Sequence, residues 1–319
     1  MSKDMMIALG GGALSGLISL AFVAGLPGAM VAVYLTPLPL FMIGLGLGLK
    51  SETVAGISGV ITATIIGGPL SGLLFALIYA LPVWLVVRLA MIRWQVSNGS
   101  GATKEEWMPT GNILGMLAIL AAALFALAYI LALGQEGGMQ GMIESILDRV
   151  FSFLMPGLQD GDRAHMLGAM SALFPGYLGM SWIVMTIINA SIALAVLNRL
   201  KVSTRPKSAM SDLALPDRMS WFLIAAAALT LVGSLSDQGE MAYIGRNLVM
   251  ILGLPFFFLG LAVVHNLART VPYPGVLLTV FYVVLLLSGW VALAVIAAGL
   301  MEQWAGIRRH FKTPDQGQV

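Results

Sequence analysis

The chain has 319 residues, 59% hydrophobic and only 10% charged, with a mean hydropathy of +0.92; soluble domains carry about 25% charged residues, so no water-soluble fold covers it. A net charge of +2 makes no case for nucleic acid, and the absence of Cys excludes disulfides, Cys-ligated metal centres and a thiol nucleophile. His165, His265 and His310 are too widely spaced to form an HExxH-type pair, so neither a metal site nor a cofactor is expected.

Apolar runs long enough to cross the hydrocarbon core predict an all-α polytopic transmembrane bundle of about eight or nine spans. The first, Met5 to Ala24, follows Lys3 as a signal peptide would, but no convincing cleavage site follows, and it reads as a retained helix. It breaks at Gly25, Pro27 and Gly28. The second runs from Ala29 to Leu49 and is closed by Lys50, Ser51 and Glu52. Thr53 to Ile66 and Leu70 to Ile92 follow, parted by Gly67, Gly68 and Pro69, with Pro82 inside the fourth run. A polar segment from Arg93 to Thr110, containing the turn from Asn98 to Gly101, reads as an exposed loop. Span five is Asn112 to Leu133.

The longest interruption, Gly134 to His165, is acidic on balance. Within it Ile143, Ile146, Leu147, Val150, Phe151 and Leu154 recur at helical spacing opposite Glu144, Asp148 and Arg149, which predicts an amphipathic helix at the interface. Span six is Met170 to Leu197, and the most basic loop follows with Arg199, Lys201, Arg205, Lys207 and Arg218. Spans seven to nine are Trp221 to Leu235, Leu248 to Leu267 and Val276 to Leu300, ahead of a basic tail, Arg308 to Lys312. The organisation expected is one membrane domain: a first helical half (1–133), an extracytoplasmic amphipathic segment (134–165), a second half (166–307) and a tail (308–319).

Basic loops favour the cytoplasmic side. Placing the Arg93 and Arg199 loops inside puts the N-terminus in the cytoplasm, the acidic segment outside, and the chain in an inner (plasma) membrane. Nine spans would leave the basic tail outside. Either one candidate is re-entrant or interfacial, the short seventh span and the closely broken early runs being the suspects, or the tail is an exception.

Ala8, Gly12 and Gly16 form a small-residue stripe on the first span, suited to helix packing or to a partner face. The run Gly44, Gly46, Gly48, Lys50 fails the phosphate-loop pattern because it lies in an apolar span. Gly56 to Gly59 matches the GxSG sequence around the serine of intramembrane proteases, with Ser58 as the nucleophile and His265 as its base, but small residues in a Gly-rich helix favour packing. Tyr34, Thr36, Thr62, Asn189, Asn247, His265 and Asn266 are polar groups within spans, and Pro37, Pro39, Pro82 and Pro255 free backbone carbonyls beside them. Arg246, His265 and Arg269 lie close enough to span ends to snorkel. No Asp or Glu falls at the centre of a predicted span, which argues against a carboxylate proton relay.

Several stretches resemble the YybS-like family of predicted bacterial membrane proteins, which carry a domain of unknown function. They are Tyr34 to Pro39, Leu215 to Asp217, Pro255 to His265, and Gly299 to Trp304 with Arg308 and Arg309. The closing motif often has Asp before its Trp; here Glu302 and Gln303 stand there. That resemblance implies a membrane protein and supplies no chemistry. The first half is also similar to the substrate-binding S components of energy-coupling-factor vitamin transporters, through Pro39, Gly44 and Gly48, the short Gly-rich spans and the Pro-bearing helix. That second likeness implies a coupling subunit touching Ala8, Gly12 and Gly16.

The leading expectation is a non-enzymatic subunit that binds a small hydrophobic or vitamin-like molecule, or a membrane lipid, between helices, with Tyr34, Thr36, Asn189 and His265 lining the site. A membrane scaffold or assembly factor is the alternative, and an intramembrane serine hydrolase at Ser58 the third reading.

Overall fold

The computed structural model describes residues 2–21, 28–97, 103–155, 157, 160–203, 205 and 212–308. The break at Gly25 and Pro27, the turn at 98–101, Lys207, and the tail from 309 with His310 lie outside these residues. By internal contact the chain forms two compact units. One is Met1–Ile113 with Trp182–Ser208; the other is Leu114–Ser181 with Ala209–Val319. Contact therefore does not divide the chain at Gly134 to His165, as the sequence suggests.

The first unit opens with α1 (Lys3–Ser19), whose N-terminus is capped by the Ser2 side chain accepting from the Met5 N–H. Two helices follow, α2 (Ala29–Tyr34) and α3 (Pro37–Leu47), and then α4 (Leu49–Gly67). Lys50, Ser51 and Glu52 do not close the preceding span as expected; they form the first turn of α4. The reason is Gly48, at φ +94° and ψ 172°, a conformation essentially confined to glycine, which ends α3 and starts α4 without a loop. Gly68 repeats the device before α5 (Pro69–Phe75), which passes through a π-helical turn (Ala76–Ala80) into α6 (Leu81–Ala90). Pro82 has no N–H for the Ile78 carbonyl, and that oxygen accepts instead from the Trp182 indole at 2.7 Å.

The Arg93 to Thr110 loop is more ordered than predicted. Its ends pair as an antiparallel hairpin, β1 (Arg93–Ser97) with β2 (Thr103–Trp107). Arg205 fastens this end of the unit, donating to the carbonyls of Ala90 at 3.3 Å and Met108 at 2.6 Å. Burial holds its guanidinium below the usual arginine range.

The boundary between units falls inside two helices, α7 (Thr110–Ala132) and α10 (Phe174–Arg199). Between them lie α8 (Gly138–Leu154) and α9 (Asp160–Ser171), so the predicted amphipathic segment holds a pair of helices, linked by Arg163 bonding Asp148 at 2.7 Å. The apolar stripe of α8 splits: Ile143, Leu147 and Phe151 are buried, Ile146 and Val150 exposed. The second unit continues with α11 (Arg218–Leu235) and α12 (Gly239–Ala268), the latter 30 residues long with Pro255 inside. The predicted ninth span is broken. It becomes α13 (Pro274–Leu287) and α14 (Gly289–Ala305), bent by 118°.

Among the described residues, seven helices are long and apolar enough to cross a membrane, or eight with that bent pair taken as one. The all-α polytopic class thus holds. Exposed Ile65, Leu131 and Leu286 suit contact with acyl chains, because lipid removes the driving force that buries such residues in water.

Candidate functional site

The first unit brings Tyr34, Thr36 and Asn189 together at the break between α2 and α3. Pro37 and Pro39 lack the N–H groups that would carry the helix through, and the Leu38 N–H turns to the Leu35 carbonyl at 3.0 Å. The Tyr34 carbonyl accepts from Asn189 Nδ2 at 2.9 Å, while the same nitrogen donates to the Met185 carbonyl at 2.8 Å. Ser15 of α1 donates to the Thr36 carbonyl at 2.6 Å. Two carbonyls exposed by the break are therefore held by side chains from helices distant in sequence.

What the backbone gains, the side chains do not. Thr36 and Asn189 are fully buried, yet Thr36 Oγ1 and Asn189 Oδ1 have no hydrogen-bond partner among the described residues. Both carbonyl partners of Asn189 need a donor, which settles the orientation of its amide and leaves the oxygen as the orphan. The Tyr79 phenol faces the Thr36 side chain but stays outside hydrogen-bonding geometry with its hydroxyl. A buried polar atom without a partner is uncommon and points to a water, ion or ligand.

Sequence reasoning missed Glu52. It is 1% exposed, and neither carboxylate oxygen has a partner among the described residues. Its surroundings are apolar: Gly44 lies against its Cγ and Gly56 near its Oε1, with Val87 and Ala80 packed beside those two glycines. The sequence reads as a polar break at Lys50 and Ser51, and only the loopless Gly48 junction carries Glu52 into the packed helices.

The second unit contains a matching arrangement with a different outcome. Asn247 Nδ2 donates to the Tyr243 carbonyl at 2.8 Å and to the Ala172 carbonyl at 3.0 Å, in the break before Pro175. Its Oδ1 accepts from the Gly176 N–H at 2.7 Å. Asn247 is thus a satisfied clamp. The same residue type, in the same relation to a proline-bearing break, is left incomplete at Asn189.

The remaining sequence candidates fall elsewhere. His265 belongs to the second unit, with Nδ1 at 2.9 Å from the Leu261 carbonyl and Nε2 at 3.4 Å from the Tyr282 hydroxyl. Ser58 donates to the Leu9 carbonyl at 2.8 Å, a bond between α4 and α1. The stripe of Ala8, Gly12 and Gly16 is turned into the unit: a Cβ on Gly12 would stand 2.0 Å from the Ala55 carbonyl oxygen, and one on Gly16 2.7 Å from that of Gly59. Of the two uses expected for this stripe, helix packing and a partner face, these contacts are those of packing against α4.

Pieces noted in the sequence also meet in the second unit. Gly299 packs on the Phe256 backbone and Gly260 on that of Val295. Glu302 pairs with Arg308 at 2.8 Å, Arg308 donates to the Leu213 carbonyl at 2.8 Å, and Gln303 donates to the Leu215 carbonyl at 3.2 Å.

Apolar spans, proline-broken helices and buried interhelical clamps define a polytopic α-helical membrane protein. More particularly, the chain belongs to the family described as predicted membrane protein (DUF2232), whose family model matches residues 13–302. No curated protein and no solved structure matches it.

Proposed function

We propose that this protein is a non-enzymatic membrane subunit whose first unit binds a small molecule or lipid at the α2–α3 break, in the manner of a transport-system binding component. The observation that carries the reading is the pair of fully buried, unpartnered oxygens on Thr36 and Asn189. Such acceptors favour a ligand bearing hydrogen-bond donors, because leaving them unmet in a low-dielectric interior costs about 1–3 kcal/mol each. The contrast with Asn247 supports the choice of site. The charge distribution supports a cytoplasmic N-terminus in an inner membrane.

The test is retention. Full-length protein is purified in mild detergent, and the molecules that accompany it are identified by mass spectrometry. A discrete compound should be present near stoichiometry, and its occupancy should fall about tenfold in the near-isosteric Thr36→Val and in Asn189→Leu. Absence of any compound above the background of untransformed membranes would end this reading, as would equal occupancy in a folded Thr36→Val variant.

A further inference from the structure

The second unit contains another polar cluster, assembled from four helices. Tyr129 of α7 donates to Glu240 of α12 at 2.5 Å, and its ring lies 6.4 Å from that of Tyr243, one turn along α12 from Glu240. Ser171 of α9 donates to Glu144 of α8 at 2.9 Å, and Gln140 donates to the same carboxylate oxygen at 3.1 Å. Neither carboxylate has an ion-pair partner among the described residues, whose salt bridges involve Glu105, Asp148 and Glu302. Arg163, a cation carried on the α8–α9 pair, is engaged by Asp148.

An independent feature points to an occupant. Tyr243 is 3% exposed, its hydroxyl has no hydrogen-bond partner among the described residues, and it stands within electrostatic reach of Glu240, Tyr129 and Glu144. A buried phenol near two carboxylates, and bonded to neither among the described residues, would be completed by a bridging group with several donors.

We propose that Glu240, Glu144, Tyr243 and Tyr129 form a binding site for an ammonium group. Two negative charges call for a cation. Among the described residues no three metal-ligating side chains converge, so a polyatomic cation fits better than a bare metal ion. An ammonium donates up to three hydrogen bonds, a number that matches the two carboxylates and the Tyr243 oxygen. The shared chemistry is that of an ethanolamine lipid headgroup and of a free amine. The exposed apolar residues Ile146, Val150 and Phe153 belong to the same helix as Glu144 and suit the headgroup layer.

Native mass spectrometry of the full chain from micelles holding equal phosphatidylethanolamine and phosphatidylglycerol tests the lipid arm. Calorimetric titration with soluble ethanolamine in phosphatidylglycerol micelles tests the free-amine arm. Enrichment of phosphatidylethanolamine without ethanolamine binding assigns a headgroup, and saturable ethanolamine binding assigns a free amine. In either arm Tyr243→Phe and the pair Glu240→Gln with Glu144→Gln should weaken binding about tenfold or more. Asp162→Asn, at an exposed carboxylate of α9, should not. No preference and no titration in the wild type would overturn the proposal, as would unchanged binding in a Tyr243→Phe variant that elutes as folded protein.

Discussion

Individual residues in this protein act mainly by what they leave out. At Gly12 the absent side chain lets α1 touch the α4 backbone at Ala55, whereas Gly10, two residues away, has open space around it. Gly12→Val should therefore lower the melting temperature in detergent, with a destabilisation of about 1–3 kcal/mol for an overpacked contact. Gly10→Val should leave it nearly unchanged, and equal behaviour of the two would refute the packing. Buried polar residues follow the complementary rule. Asn247 has its amide fully used, and Asn189, which looks equivalent in the sequence, does not, because its oxygen depends on which backbone N–H the neighbouring break presents. Tyr34, Thr36 and Asn189 were recognisable as costly polar groups in apolar runs, but their meeting was not, since 155 residues separate Asn189 from the Tyr34 carbonyl.

Among the elements, the bent pair α13 and α14 bears most on topology. The two helices have 14 and 17 residues, or about 21 and 26 Å at the helical rise, and each falls short of a hydrocarbon core of about 30 Å. A bend of 118° turns the second leg back toward the first. The pair is thereby expected to enter and leave on one side, which returns the basic tail to the cytoplasm in agreement with the charge rule. The 118° bend falls in the last predicted span; among the early runs the second is also broken, into α2 and α3, yet it stays one apolar stretch from Ala29 to Leu47. Because the chain has no Cys, single variants Tyr273→Cys and Trp304→Cys give clean readouts: an impermeant thiol reagent should label both from the same face of oriented vesicles, and labelling from opposite faces would make the pair a true crossing. The periodicity of α8 was legible in the same way, yet which half of its apolar stripe would be covered depended on α9 and on elements remote in sequence.

For the molecule as a whole, segments conspicuous in the sequence are joined by tertiary contacts within the second unit. Glu302 and Arg308 form an ion pair with side chains 8% and 14% exposed, and Arg308 also reaches the Leu213 carbonyl. Removing one member of such a pair strands the other, at a cost of about 3–5 kcal/mol, whereas removing both is far less damaging. Thermal melts of Glu302→Leu, Arg308→Leu and the double variant should show the double lying closer to wild type than the singles add up to. Simple additivity would mean that the pair does not couple the closing helix to the Leu213 segment. The membrane class, the positions of most spans and the sites of the proline breaks were determined by the sequence alone, because apolar length and a missing N–H are properties of a short stretch of chain. The tertiary structure decided the rest: that the glycine stripe faces inward, that Glu52 is buried, that Asn189 is left incomplete, and that the buried Tyr243 hydroxyl has no partner among the described residues. Whether a polar atom is satisfied depends on partners that only folding brings within 3 Å or so, and no local pattern encodes that distance.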